Sequence, residues 1–163
     1  MKKRETKMQI AIFDLDGTVI DSEHRKVALP NGDIDLAHWR ENCTEEKISQ
    51  DGLLGLVHEM RALYARGINV IICTARVLSK HDYAFFANNN IPSNYILSRP
   101  EGCNTSDGIL KAQQITELLE RLNVPAKAVE MWDDNQSVIA CMKEIGVKCH
   151  DAKLINKIIK NRH

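Results

Sequence analysis

MQIAIFDLDGT, residues 8–18, decides the fold. Residues 8–14 form a nearly unbroken apolar run, the pattern of a strand buried on both faces of a parallel sheet. The run ends in Asp14-Leu15-Asp16-Gly17-Thr18, so two carboxylates stand at the carboxyl end of the strand. In an open parallel sheet, that end is where ligands bind.

Working outward, the same pattern recurs at residues 69–74 (NVIICT), 94–98 (NYILS), 128–132 (AVEMW) and 147–150. Helical spacing of apolar residues predicts helices between these runs. One covers residues 52–65, with Asp51 as its N-cap and Gly67 as its stop. Others are expected over 79–88, 106–122, 135–145 and 152–160. Strands alternating with helices imply an α/β fold, a Rossmann-like three-layer sandwich around a mostly parallel sheet. Residues 21–50 read as neither strand nor long helix, and a connection that long is often functional. The expected organisation is a single domain over 1–163, with 21–50 as a small cap-like or flap-like connection.

The 163 residues suffice for one substantial core. Basic and acidic residues balance at 22 each, which removes any long-range pull toward nucleic acid or anionic lipid. No apolar run approaches the ~20 residues needed to cross a bilayer, and residues 1–8 lack the apolar stretch of a secretory signal. The five cysteines form no C-x-x-C pair, which fits reduced thiols in a cytosol. Cys73 reads as core, and a Cys141–Cys149 bridge is the one conceivable disulfide. These features place the chain in the cytoplasm, off membranes, and leave a homo-oligomer open.

The strand tips carry the chemistry. Asp14 and Asp16 follow the first strand, Thr74 and Arg76 the second, and Asp133 and Asp134 the fourth, while Lys111 lies near the start of the helix after the third. Taken singly, such an Asp is often only a turn or cap residue. Together, four carboxylates cannot stay ionised side by side without a compensating cation. Oxygen donors favour a hard ion such as Mg²⁺, which asks for one or two carboxylates and completes its shell with water and phosphate. A carboxylate beside Mg²⁺ and Lys111 can attack phosphorus. A second carboxyl two residues on can protonate the leaving oxygen. Thr74 and backbone N–H groups would hold the phosphoryl oxygens. A phosphoacceptor receiver domain would instead place its acidic pair after the first strand and its accepting Asp after the third.

FDLDGT at residues 13–18 resembles the first motif of the haloacid dehalogenase superfamily. ICTAR around Thr74, Lys111, and Asp133-Asp134 are similar to its second, third and fourth motifs, in the right order. The resemblance implies a Mg²⁺-dependent phosphatase working through an aspartyl-phosphate. It makes Asp14 the nucleophile and a metal ligand. It makes Asp16 the general acid/base, giving the metal its backbone carbonyl. Asp133 becomes a metal ligand and Asp134 supports the metal site.

A finer resemblance is to the 3′-phosphatase domain of phage polynucleotide kinase/phosphatase enzymes. Arg25, Arg76 in its T-x-R setting, Asp107 four positions before Lys111, and WDDNQSVIACMKEIGVKC (residues 132–149) carry it. It implies that Arg25 and Arg76 clamp phosphate oxygens as bidentate donors, and Arg99 is a weaker candidate for the same task. Asn135 stands where that family has an arginine, Met142 where an aromatic is usual, and residues 104–106 where it is more basic. No phosphate-binding G-x-x-x-x-G-K-[ST] loop occurs, so the kinase half is absent.

Three functions follow from the sequence. The first acts on phosphorylated polynucleotide or nucleotide 3′ ends, and the short connection at 21–50 and Arg25 favour it. The second is a phosphatase of nucleoside monophosphates, favoured by zero net charge and an aromatic content of 5%. The third is a non-catalytic phosphate-binding domain, which the intact acidic set argues against.

Overall fold

The computed structural model describes residues 7–162. In chain order the elements are β1 (Ile10–Phe13), β2 (Ile20–Asp21), a 3₁₀ turn (Glu23–Arg25), α1 (Leu36–Glu41), α2 (Glu45–Ser49) and β3 (Gly52–Leu53). There follow α3 (Leu56–Ala65), β4 (Asn69–Cys73), α4 (Lys80–Asn88), β5 (Tyr95–Leu97) and α5 (Asp107–Leu122). A second 3₁₀ turn (Ala126–Ala128) leads into β6 (Val129–Asp133), α6 (Gln136–Glu144), β7 (Lys148–Asp151) and α7 (Ala152–Asn161).

Five strands form one parallel sheet in the order β5-β4-β1-β6-β7. This is the α/β architecture that the apolar runs predict. All four residues of β1 are buried because it is the central strand. Alternation along it then feeds two cores. Ile10 and Ile12 pack with Ile115, Leu118, Val138 and Met142 of α5 and α6 on one face. Ala11 and Phe13 pack with Val57, Met60, Phe85 and Phe86 of α3 and α4, and with Ala152 of α7, on the other. The result is three layers, helix on sheet on helix. Phe13 stacks on Trp132 at 4.6 Å, so the aromatic side chains beside the two acidic strand tips also hold those tips together.

Local chemistry fixes the helix starts. Ser79 and Asp82 form a capping box at α4, and the Asn135 side chain accepts from the Ser137 amide at α6. Asn135 is thus a helix cap at the position where the resembled family carries an arginine. The structure corrects one boundary: α3 begins at Leu56, not at residue 52, and Asp51 does not cap it. Gly52 and Leu53 instead pair antiparallel with Ile20 and Asp21. The Leu56 amide donates to Asn156 Oδ1 of α7 at 2.9 Å, a cap supplied by a distant part of the chain. The same Asn156 donates to the Thr18 carbonyl at 2.9 Å and so braces the turn after β1.

The connection over 21–50 leaves and returns through the β2–β3 ribbon and holds only a 3₁₀ turn and two helices of six and five residues. All five cysteines are free, Cys141 and Cys149 included. Burial pushes the Cys73 thiol up to about 12, as befits a core residue without chemistry at neutral pH. No helix among the described residues is long and apolar enough to cross a membrane.

Candidate active site

The parallel register brings the tips of β1, β4 and β6 side by side: Phe13 lies opposite both Ile72 and Trp132. The next residue of each strand therefore emerges at one edge, and the Asp14 amide still donates to the Trp132 carbonyl at 3.1 Å. Asp14, Asp133 and Asp134 each bring one carboxylate oxygen into a group spanning no more than 4.8 Å. Lys111 reaches them from the first turns of α5. Its ammonium donates to Asp14 Oδ1 at 2.9 Å and to Asp133 Oδ2 at 2.7 Å. Thr18 donates to Asp14 Oδ2 at 3.3 Å.

Three carboxylates against one ammonium leave negative charge in excess. Burial, and next to it the charge of Asp14, push the Asp133 and Asp134 carboxyls up to about 7. Burial works against the charge of Lys111, yet Asp14 and Asp133 outweigh it and hold the ammonium well above its usual range. Lys111 is charged at any pH the protein meets. The donor set is all oxygen, short of positive charge and compact, which fits a hard divalent cation bound by Asp14, Asp133 and Asp134. The Asp16 carboxylate is not part of this group.

Asp16 turns elsewhere because Gly17 adopts φ +77°, which folds the chain back so that Gly17 N–H reaches the Ile20 carbonyl at 2.9 Å. Ser22 Oγ donates to Asp16 Oδ1 at 2.6 Å, and Arg76 grips both carboxylate oxygens with Nε and Nη2. Burial pushes the Asp16 carboxyl up, but the Arg76 charge and these hydrogen bonds more than offset it, leaving the carboxyl below the usual range. Thr74 is buried after β4, where its hydroxyl accepts from the Arg76 amide at 3.1 Å.

The arginines are where the structure departs from the sequence expectation. Arg25 is 1% exposed. It lies under Trp39 at 4.2 Å and bonds Asp51 through Nε at 2.9 Å and Nη2 at 2.7 Å. A guanidinium so placed holds the 21–50 connection to its own stem rather than meeting a phosphate. Arg76 is shared among Asp16, Asp82 at 2.6 Å and Asp51 at 3.6 Å. Arg99 donates to the Ala75, Cys103 and Thr105 carbonyls and to Asp107 at 2.8 Å, pinning the loop before α5. Asp107 and Lys111 sit one turn apart on α5, but only Lys111 enters the acidic group.

Asp51 is the residue that sequence reasoning missed. It gathers Arg25, Arg76 and His24 Nε2 (2.7 Å) around one fully buried carboxylate. Nothing in the local pattern marks it, since its partners lie far away in sequence.

The sequence profile described as bacteriophage T5 5′-deoxynucleotidase matches residues 1–162. The chain belongs to that family. The 5′-deoxynucleotidase of Escherichia phage T5 is 31% identical to it over 93% of this chain and 70% of its own length. Three solved structures show how widely the T5 deoxynucleotidase family shares its fold. A haloacid dehalogenase-like hydrolase from Streptococcus pneumoniae has a TM-score of 0.67 at 14% identity, covering 92% of this chain and 91% of its own. A phosphatase from Clostridium difficile reaches 0.66 at 19% identity, covering 88% and 84%. A chain of the Pnkp1/Rnl/Hen1 complex reaches 0.65 at 21% identity, covering 91% of this chain but 47% of its own. The fold is that of the haloacid dehalogenase superfamily, as the four motifs imply, and the chain is a phosphatase. The Pnkp1 complex stands among the fold neighbours, while the family profile and the phage T5 relative point to a deoxynucleotidase.

Proposed function

We propose that this protein is a Mg²⁺-dependent phosphatase of deoxynucleoside 5′-monophosphates, with Asp14 as nucleophile. The convergence of Asp14, Asp133 and Asp134 within 4.8 Å at one sheet edge carries the reading. Membership of the T5 deoxynucleotidase family supports the substrate class. The burial of Arg25 supports it too, because that side chain is one of the two features that favour a polynucleotide end.

Asp14, Asp133 and Asp134 would hold Mg²⁺, which when bound neutralises the phosphate and aligns its oxygens. The chain's own residues do the rest. Lys111 fixes the Asp14 carboxylate through Oδ1, orienting it to attack. As the bond from Asp14 to phosphorus forms, the bond to the 5′ oxygen breaks, and that oxygen takes a proton from the Asp16 carboxyl. Water then attacks phosphorus, gives its proton to Asp16, and the Asp14–phosphorus bond breaks. Arg76 favours ionised Asp16, the form needed in the second half. The first half therefore requires Asp16 to loosen from Arg76. Thr74 and backbone N–H groups would hold the phosphoryl oxygens.

A polynucleotide 3′-phosphatase is the second reading, favoured by the short 21–50 connection, which builds no large lid. Phosphate release decides between them, measured side by side with deoxynucleoside 5′-monophosphates, 3′-phosphorylated oligonucleotides and 5′-phosphorylated oligonucleotides, each with Mg²⁺ and with EDTA. Preference for free 5′-mononucleotides is the expected result. Faster release from 3′-phosphorylated ends overturns the substrate assignment, and turnover in EDTA overturns the metal assignment.

A further inference from the structure

Three carboxylates surround the Arg76 guanidinium, and they are not equivalent. Nε and Nη2 face Asp16, Nη1 donates to Asp82 Oδ1 at 2.6 Å, and Asp51 stands 3.6 Å from Nη2. The Asp51 side chain is 0% exposed and that of Asp82 5%, whereas that of Asp16 is 18%. Asp16 is therefore the partner with room to leave. Asp51 already receives Arg25 on both oxygens. Asp82 is the partner that Arg76 keeps.

The two oxygens of Asp82 have separate tasks. Oδ2 accepts from the Ser79 amide at 2.8 Å and from Ser79 Oγ at 3.2 Å, which completes the capping box at the start of α4. Oδ1 takes no part in that cap and receives Arg76. Helix initiation alone needs only the first of these. The second ties a planar guanidinium, buried and held on two sides, to the first turn of α4, which leaves it one orientation.

We propose that Asp82 is a positioning residue for phosphoryl transfer: it anchors Arg76 to α4, so that Asp16 can quit the guanidinium for the leaving oxygen and return to the same place. The proposal deepens the phosphatase reading and rests on it. A buried cation that loses a partner is strongly destabilised. With Asp82 in place, Arg76 stays paired when Asp16 turns away. Without Asp82, Arg76 would hold Asp16 fast and the first half of the reaction would slow.

Two leaving groups test this. The nucleoside 5′ oxygen leaves only with a proton, whereas 4-nitrophenolate leaves without one. Asp82→Asn, nearly equal in size, should lower kcat/KM for a deoxynucleoside 5′-monophosphate about tenfold or more, and for 4-nitrophenyl phosphate by less than about threefold, a share of what a general acid contributes. KM should change little for either. Circular dichroism shows whether the variant folds. Should it not, Asp82→Gln retains a Ser-x-x-Gln capping box and should give the same split. A loss shared equally by the two substrates, a change confined to KM, or no loss at all overturns the proposal and leaves the phosphatase reading intact. The same split between a 3′-phosphorylated oligonucleotide and the aryl phosphate, in a chain inert toward mononucleotides, leaves the proposal standing and removes the substrate reading.

Discussion

Arg25 meets Asp51 through two parallel hydrogen bonds, Nε to Oδ1 at 2.9 Å and Nη2 to Oδ2 at 2.7 Å, with both side chains out of solvent. Removing one partner of such a pair leaves the other charged and buried. Arg25→Ala should therefore lower unfolding free energy by about 3–5 kcal/mol. Arg25→Lys should recover little, since one ammonium cannot replace the two-pronged contact. Chemical denaturation gives the stability, and kinetics on an aryl phosphate and a mononucleotide should shift together. A stable Arg25→Ala protein defective toward only one substrate would return Arg25 to the binding surface.

Asp14→Asn should lower kcat by about 10⁴-fold or more, as the loss of a nucleophile does. The fold should survive, because the change relieves crowding among three carboxylates while Lys111 keeps Asp133. Circular dichroism and a melting curve close to wild type, beside absent phosphate release, are the expected pair of results. Retained turnover would require another nucleophile.

Metal and pH should act on stability together. The Asp133 and Asp134 carboxyls stand near 7 in the folded chain and near 3.8 when unfolded. Between those values the folded chain holds more protons, so metal-free stability should fall as pH rises from about 4 to about 7, and level off above. Asp16, held low, has the opposite sign and contributes only at more acidic pH, where its stabilisation is lost. A cation needs the ionised carboxylates, so Mg²⁺ should raise Tm more at pH 8 than at pH 5.5. Thermal melts at the two pH values, with Mg²⁺ and with EDTA, check this. An equal Mg²⁺ effect at both would place the ion elsewhere.

Gly17→Ala should disable the site from the backbone outward. Gly17 has φ +77°, and a Cβ there would lie 2.7 Å from Asp134 Cγ. The left-handed conformation alone costs about 1–2 kcal/mol for a residue with a Cβ. Displacing Asp134 should further raise the Mg²⁺ concentration needed for half-maximal activity. A Mg²⁺ titration that matches wild type would separate Asp134 from metal binding.

The fold was legible wherever burial repeats along the chain. The runs at residues 8–14, 69–74 and 128–132 announce central parallel strands, and the acidic residues at the tips of the first and last announce the site. What escaped is tertiary or very short. β2 and β3 have two residues each, too few for any period to show. Asp51 looks like a cap for the helix after it, because a sequence cannot show that Asn156 already supplies that cap. Arg25 reads from the sequence as a phosphate clamp, yet its partner Asp51 lies beyond two short helices and holds it inward.

The parallel pairing of β1 with β6 has a consequence for how the protein is made. Asp14 is synthesised long before Asp133 and the strand that carries it. Closing so long a loop is a slow, non-local event. Asp14 therefore meets neither the Lys111 ammonium nor the Asp133 carboxylate until the later part of the polypeptide docks against β1.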